Sequence, residues 1–386
     1  MDHGAGMPLD PRVMEIMKPY STESYGNPSS VHSLGLEAKN ALEEARGKVA
    51  ELVGAGNPGE IIFTSGGTES NNLAIKGVAY RNRDRGNHII TTAIEHMSVL
   101  NICKNLEKWG FNSTYVPVDK QGLVDLEKLE REIDDKTILI SVMYANGEIG
   151  TIQPIKEIGK IAHDHNVYFH VDAVAAAGKV PINVEDENIN LLSMSSNDMY
   201  GPKGVGALYV KNGTKIEPIM HGGGQEVGLR SGTENVPGIV GMEKAAEIAL
   251  GEMEHRRDRL SGLRDRLIRG VLNAVDHSYL NGHPTLRLPD NANLRFSYIE
   301  GESLILSLDA LGIQVSSGSA CTSKTLEPSH VLTAIGLAHE QAHGSLLFTL
   351  GTQNTEEDVD YVLEVLPSVV KRLREISPLA PQAMVR

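Results

Sequence analysis

The residue of this sequence best suited to single-residue chemistry is Cys321, in the segment SSGSACTSKTLEP. Cysteine is usually buried among apolar neighbours, but serine, glycine and threonine surround Cys321, which is typical of a mobile surface loop. An exposed thiol can act as a nucleophile, a sulfur carrier or a metal ligand. The chain's other cysteine, Cys103, falls on an apolar helical stripe, which predicts a core position. Two cysteines alone form neither a disulfide framework nor a four-cysteine metal site.

A glycine turn in FTSGGTESNNLAI, residues 63–75, could bind an anion. Gly66 and Gly67 would let the backbone approach a ligand closely, and a helix that starts near Thr68 would offer free N–H groups and a positive dipole end. The simpler alternative is a tight strand–helix turn capped by Ser65 or Thr68. The glycine pair alone does not decide between the two.

Two further polar residues follow apolar strands. Asp172, in HVDAVAAAG, ends one of them, where a carboxylate must be paired or must cap the next turn. It could instead hold the protonated ring nitrogen of a cofactor. His96, in AIEHMSV, is either a solvated loop histidine or a ring that stacks on a flat ligand.

Composition narrows the function classes. The 386 residues are 40% hydrophobic and 22% charged, as in ordinary globular proteins, and the length favours two domains. The net charge of −14 argues against nucleic acid as a main partner. No apolar run is long enough to span a membrane, and the N-terminus does not resemble a signal peptide. We therefore expect a cytoplasmic protein.

Short apolar runs alternate with helical patterns through the first 250 residues or so. The helical stripe of residues 33–53 is one example. This alternation predicts an α/β fold with a mostly parallel sheet covered on both faces, whose ligands lie beyond the carboxyl ends of the strands. The predicted strands are 61–63, 89–90, 138–142, 167–169, 191–192 and 207–210.

The pattern changes after about residue 255, where a charged helical segment leads into a region of α+β character. We predict a large α/β domain over residues 15–255. A small α+β domain would combine residues 1–14 with 256–386 and would carry the Cys321 loop.

Eight segments in a fixed order identify a family resemblance. They are GNPSSVHSLG, FTSGGTESNNLAIKG, IEHMSV, EIGTIQPI, HVDA, YGPKGVGALYV, HGGGQEVGLRSGTENVPGIVG and SSGSACTSKTLEPSHVL. Together they resemble the cysteine desulfurases of the IscS/NifS type, which supply sulfur for iron–sulfur cluster assembly. The resemblance implies the fold-type I architecture of enzymes that use pyridoxal phosphate (PLP), in a homodimer.

The resemblance also implies roles for particular residues. Cys321 would attack the sulfur of L-cysteine and carry it as a persulfide to a U-type scaffold protein. His96 would stack on the PLP ring, and Asp172 would pair with the ring nitrogen. Four further residues would bind the PLP phosphate: Gly67, Thr68, Ser195 and, from the other chain of the dimer, Thr233.

Four positions depart from the family pattern. In LLSMSSNDMYGPKG, Asp198 stands where the family has the lysine that anchors PLP and moves the substrate proton. Aspartate cannot form that bond, and its charge would weaken phosphate binding. Ala175 replaces a glutamine that contacts the PLP ring hydroxyl, Gly147 replaces an asparagine, and Leu347 replaces the arginine that holds the substrate carboxylate. We therefore expect PLP to bind weakly or not at all.

Three hypotheses follow from this asymmetry between an altered pocket and an intact Cys321 loop. The first is an iron–sulfur assembly protein with impaired desulfurase activity, in which Cys321 accepts sulfide or persulfide made elsewhere or ligates a 2Fe-2S cluster shared with the scaffold. The second is an active cysteine desulfurase with non-covalently bound PLP. The third is a purely structural pseudoenzyme, in which Cys321 is dispensable. The sequence favours them in that order.

Overall fold

The computed structural model describes residues 1–317 and 328–381, so Cys321 lies outside the described residues. The first part of the chain forms a large sheet. Its strands are β1 (Ile61–Thr64), β2 (His88–Thr92), β3 (Asn112–Val116), β4 (Thr137–Met143), β5 (Tyr168–Asp172), β6 (Leu191–Ser195) and β7 (Gly206–Val210). The helices of this part are α1 (Pro11–Thr22), α2 (Ser33–Leu52), α3 (Gly67–Arg81), α4 (Met97–Glu107), α5 (Leu126–Arg131), α6 (Ile155–Asp164) and α7 (Val236–Ala274).

The large sheet has the order β1-β7-β6-β5-β4-β2-β3. Strand β7 runs antiparallel to both of its neighbours, and the other pairs are parallel. Six strands therefore share one direction, and their carboxyl ends lie at the same edge. Ligands of such sheets bind beyond that edge. The prediction of a mostly parallel sheet is confirmed.

Both faces of the sheet are covered, as the near-continuous apolar strands predict. Along β7, Ala207 and Tyr209 pack into one core, and Leu208 and Val210 pack into the core on the opposite face. Strand β3 was not predicted, because its sequence, NSTYV, is mostly polar. That strand lies at the edge of the sheet, where only Val116 is buried.

The later part of the chain forms a smaller antiparallel sheet of order β10-β9-β8. The strands of this part are β8 (Ser278–Leu280), β9 (Asn291–Phe296) and β10 (Ser345–Thr349). Its helices are α8 (Gly301–Asp309), α9 (His330–Ala334), α10 (His339–His343) and α11 (Glu356–Ile376). The chain start reaches this sheet, because the amide of Thr349 donates to the carbonyl oxygen of Met1 at 2.9 Å.

Helix α7 joins the two regions. Asn235 caps it by accepting from the amide of Gly238, and the helix continues for 39 residues. Met242 packs in the core of the large sheet, whereas Leu267 packs in the core of the small one. Residue 255 lies inside this continuous helix, so the domain limits drawn from sequence remain a prediction. Across residues 1–317 and 328–381, the helices are too short or too polar to cross a bilayer.

Candidate active site

A cavity of about 500 Å³ lies at the carboxyl-terminal edge of the large sheet. Its walls come from the segments that follow β1, β2, β4, β5 and β6, together with residues next to β9 and β10. Five of the six residues expected to bind PLP line this one cavity: Gly67, Thr68, His96, Asp172 and Ser195. The topology thus brings together residues that are up to 128 positions apart in the sequence.

The glycine turn leaves the start of α3 open. Gly66 occupies the N-cap position with φ of 147°, and no side chain in the described part of the chain caps the helix. The simpler alternative, a cap by Ser65 or Thr68, is therefore wrong, because Gly66 holds the N-cap position. A Cβ on Gly67 would lie 2.3 Å from Cγ2 of Val174, so only glycine fits there without rearrangement. An uncapped helix start with close backbone access is suited to an anion.

Asp172 lies at the end of β5 and is 5% exposed. Its Oδ1 accepts from the amide of Val174 at 3.0 Å, so it does stabilise the next turn, as the simpler interpretation holds. Its Oδ2 accepts from Nδ2 of Asn71 at 2.7 Å. The carboxylate is thus held in place and still lines the cavity, which is the arrangement needed to pair with a cationic ring nitrogen.

A hydrogen-bond chain connects Asp172 to His96. Nδ2 of Asn71 also donates to Oγ of Ser98 at 2.9 Å, and Oγ of Ser98 lies 2.7 Å from Nδ1 of His96. The amide of Ser98 donates to the same ring nitrogen, so His96 caps α4. Nδ1 is therefore the acceptor, and the ring is held at the cavity wall. Neither Asn71 nor Ser98 was predicted as a site residue from the sequence.

Asp198 lies in the short helical turn Asn197–Met199 that follows β6, and it lines the cavity beside Ser195. Burial raises the pKa of its carboxyl group, and the charge of Asp172 adds to that rise. The Lys179 ammonium and the Ser195 hydroxyl act in the opposite direction. The net direction is upward, so Asp198 binds a proton more readily than a solvated aspartate does.

Lys179 also lines the cavity, although no pattern in the sequence predicts it there. Its Nζ lies 2.8 Å from Oδ2 of Asp290, whose side chain is 2% exposed. Burial by itself would lower the pKa of Lys179, but the carboxylates of Asp290 and Asp198 outweigh burial and raise it. Among the described residues that line the cavity, Lys179 is the sole lysine or arginine.

The four departures from the family pattern lie together in this cavity. A Cβ on Gly147 would lie 3.6 Å from Cβ of Ala175, so these two positions are direct neighbours. Leu347 is 5% exposed and pairs with Asn293 across the small sheet. Leu347 and Ala175 have no charge that could attract a substrate carboxylate. An ionised Asp198 would repel that carboxylate.

Two glutamates, Glu95, which is buried, and Glu148, which is half-buried, complete the polar lining. Burial raises the pKa of Glu95 to about 8, an effect to which Asp172 adds and which hydrogen bonds from Thr92 and Met143 oppose. Burial likewise raises the pKa of Glu148 to about 7. One carboxyl oxygen of each glutamate has no hydrogen-bond partner among the described residues. Both groups can therefore carry a proton near neutral pH.

Thr233 does not line the cavity of its own chain and is exposed, so its contact across a dimer remains a prediction. The preceding segment is anchored by Glu226, which accepts two 2.9 Å hydrogen bonds from the guanidinium of Arg46 and one of 2.7 Å from the amide of Phe63. Cys103 is fully buried, as predicted, and burial raises the pKa of its thiol to about 12.

The described residues include no group of three or more histidine, cysteine and carboxylate side chains that could hold a metal ion. The roles of Cys321 in sulfur transfer or metal binding fall outside them and remain predictions.

The cavity fits PLP without a lysine at position 198. The open start of α3 suits a phosphate, and a Cβ at position 67 would fill the space beside that helix start. Asp172 is fixed where a ring nitrogen can reach it, and His96 stands at the wall. These contacts would hold the cofactor non-covalently.

Comparison with known proteins gives consistent matches. The profile of the class-V aminotransferase family matches residues 1–362. A protein named cysteine desulfurase IscS 1, from Archaeoglobus fulgidus, is 59% identical over 378 residues, which is 98% of each chain. The solved structure of a NifS-like protein superposes with a TM-score of 0.90 at 41% identity, covering 96% of this chain and 99% of the other. The solved structure of SspA in complex with cysteine superposes with a TM-score of 0.79 at 38% identity. The match covers 90% of this chain and 97% of the other.

Proposed function

Because this chain belongs to the class-V aminotransferase family, we propose that it is a PLP-dependent cysteine desulfurase that supplies sulfur for iron–sulfur cluster assembly. One observation carries the proposal: Gly67, Thr68, His96, Asp172 and Ser195 line a single cavity at the ligand-binding edge of the sheet. Relatives named as cysteine desulfurases, and a related structure that contains cysteine, support the substrate. The hypothesis of an active enzyme is therefore favoured over that of an impaired one.

Each pocket residue has a defined task in this proposal. Bound PLP supplies the electron sink that cleavage of the carbon–sulfur bond of cysteine requires. Asp172, oriented by Asn71, keeps the ring nitrogen protonated. The amides at the start of α3 bind the phosphate, and His96 limits the ring's movement from one side.

Cys321 would receive the sulfur. Its thiolate attacks the substrate sulfur, the carbon–sulfur bond breaks, and a proton completes alanine while a persulfide stays on Cys321. A scaffold protein then takes the persulfide sulfur. In the proposed homodimer, Thr233 of each chain would complete the phosphate site of the other chain.

The test measures PLP binding by equilibrium dialysis and alanine formation from L-cysteine on the same samples. Wild type should bind about one PLP per chain and form alanine only when PLP is present. Asp172→Ala should lose both properties. Asp164→Ala, which removes an exposed carboxylate at the end of α6, is the matched control and should lose neither. A wild-type protein that binds PLP and forms no alanine would contradict the proposal.

A second function is supported by the substitutions themselves. Asp198 and Leu347 remove a cofactor anchor and a carboxylate contact from the cavity. In this function the protein removes no sulfur from cysteine. Cys321 instead attacks the outer sulfur of a donor persulfide, which leaves as a thiol, or it ligates a 2Fe-2S cluster on the scaffold. It predicts that wild type, mixed with scaffold, iron and sulfide, forms a stable coloured complex that Cys321→Ala does not form. A complex of equal stability with that variant would exclude it.

A further inference from the structure

Lys179 lines the cavity, and an ion pair holds its amine. It stands seven residues after Asp172, in the turn that follows β5, and its side chain crosses from the large-sheet region to Asp290, just before β9. Oδ1 of Asp290 has no hydrogen-bond partner among the described residues, so Lys179 is the one described partner of a carboxylate that is 2% exposed. The ion pair fixes where the Lys179 amine lies.

Lys179 lines the same cavity as Asp198, which stands where the family has its lysine. Asp198 is one of the charged groups that act on Lys179, and both residues line the same cavity with Asp172 and Ser195. A lysine side chain is a flexible four-carbon stem, so a small change of rotamer moves its nitrogen by several ångströms. No other lysine or arginine among the described residues lines the cavity.

Lys203, the lysine of the GPKG turn, is placed differently. Its Nζ donates to the carbonyl oxygen of Met7 at 3.2 Å, and Lys203 is not part of the cavity wall. Position in the sequence makes Lys203 the nearer candidate, because it follows Asp198 by five residues. Position in the structure favours Lys179.

We propose that Lys179 is the residue that bonds covalently to PLP in this protein, with Asp198 as its proton acceptor. In this step the ammonium of Lys179 gives one proton to the Asp198 carboxylate, and the neutral amine attacks the aldehyde carbon of PLP. A carbon–nitrogen double bond forms and one water molecule leaves. Lys179 thus takes over the anchoring role of the missing lysine, and Asp198 accepts the proton that this step releases. This inference rests on the proposed function, since it requires PLP in the cavity.

The charges of the site are consistent with this division. Asp198, whose carboxyl pKa is raised by burial, is a better proton acceptor than a solvated aspartate. The ion pair with Asp290 keeps Lys179 protonated until PLP arrives, so the step includes separation of that pair.

The test incubates the full-length protein with PLP, reduces it with borohydride and maps the labelled peptide by mass spectrometry. The label is expected on Lys179 of wild type. Lys179→Arg retains a cation for Asp290 and should remain folded, but it cannot form the double bond, so its label should be lost. Lys203→Ala is the matched control and should be labelled like wild type. Asp198→Asn should be labelled more slowly, because the proton acceptor is gone.

Equilibrium dialysis of PLP on the same samples separates the two claims. PLP that binds to wild type without a label on Lys179, or with a label on Lys203 instead, would overturn the role of Lys179 and leave the proposed function intact. A wild-type chain that binds no PLP would overturn both.

Discussion

The side-chain amide of Asn71 donates a hydrogen bond of 2.7 Å to Oδ2 of Asp172, joining the second turn of α3 to the end of β5. The same amide donates to Ser98, which in turn contacts His96. Asn71 therefore positions both His96, expected to stack on the PLP ring, and Asp172, expected to pair with the ring nitrogen. It does so although position 198 has no lysine to anchor PLP.

Asn71→Ala should weaken PLP binding. The change leaves the buried Asp172 carboxylate with one fewer donor, which costs about 1–2 kcal/mol, or roughly 5- to 30-fold in Kd. Titration with PLP under equilibrium dialysis measures the effect. Asn105→Ala, at an exposed position of α4, is the control and should bind PLP like wild type. Equal affinity in Asn71→Ala would show that Asn71 does not orient Asp172.

Asp198→Asn should strengthen the non-covalent PLP binding that precedes any bond to Lys179, because Asp198 is still ionised at that stage. The substitution removes a negative charge from the cavity that must hold the phosphate, which is worth on the order of 1 kcal/mol, or about fivefold in Kd. Asp186→Asn changes the net charge equally at an exposed site and should leave the Kd unchanged. Weaker binding after Asp198→Asn would mean that the Asp198 carboxylate itself contacts the cofactor.

Glu95→Gln should change how stability depends on pH. Glu95 is fully buried, and its pKa is raised to about 8 in the folded protein from 4.5 in the unfolded chain. Between those values the folded state holds the proton and the unfolded state does not. The free energy of unfolding therefore falls as pH rises, by up to about 1.4 kcal/mol per pH unit from this group.

The neutral glutamine removes that slope. Denaturant unfolding measures the free energy of unfolding at each pH. At pH 5 it should be similar for Glu95→Gln and wild type, and at pH 8 it should be larger for Glu95→Gln. The exposed substitution Glu107→Gln in α4 serves as the control for a lost carboxylate. A variant that is less stable than wild type at pH 8 would indicate that Glu95 is ionised in the folded protein.

Arg46→Met should destabilise the protein and loosen the segment that carries Thr233. The Arg46–Glu226 pair is almost completely buried, and Glu226 and Val227 are both held at left-handed φ, of 48° and 50°. Leaving the Glu226 charge unpaired costs about 3–5 kcal/mol. Denaturant unfolding should show that loss, and the double variant Arg46→Met with Glu226→Met should recover part of it. If the double variant recovers no stability, the lost stability comes instead from the packing of Arg46 on Phe63. The guanidinium carbon of Arg46 lies 5.0 Å from the centre of that ring.

The sequence predicted the strands of the large sheet best where they are buried on both faces, because an uninterrupted apolar run leaves few alternatives. It missed β3, whose polar residues suit the sheet edge. The cofactor residues were identified through family motifs and not through their spacing. Lys179 and Asp290 were missed, since an ion pair between residues 111 positions apart leaves no local pattern. Asn71 and Ser98 were missed for the same reason, because their contacts exist only once α3, α4 and β5 pack together.

The most direct test of the account is the amount of alanine that wild type releases from L-cysteine at saturating PLP, compared with the same protein without PLP and with Asp172→Ala. We predict multiple turnovers that require both PLP and Asp172. No alanine above the level of the cofactor-free sample, at a PLP concentration that fills the site, would contradict the central claim and leave the sulfur-accepting function of Cys321 as the better explanation.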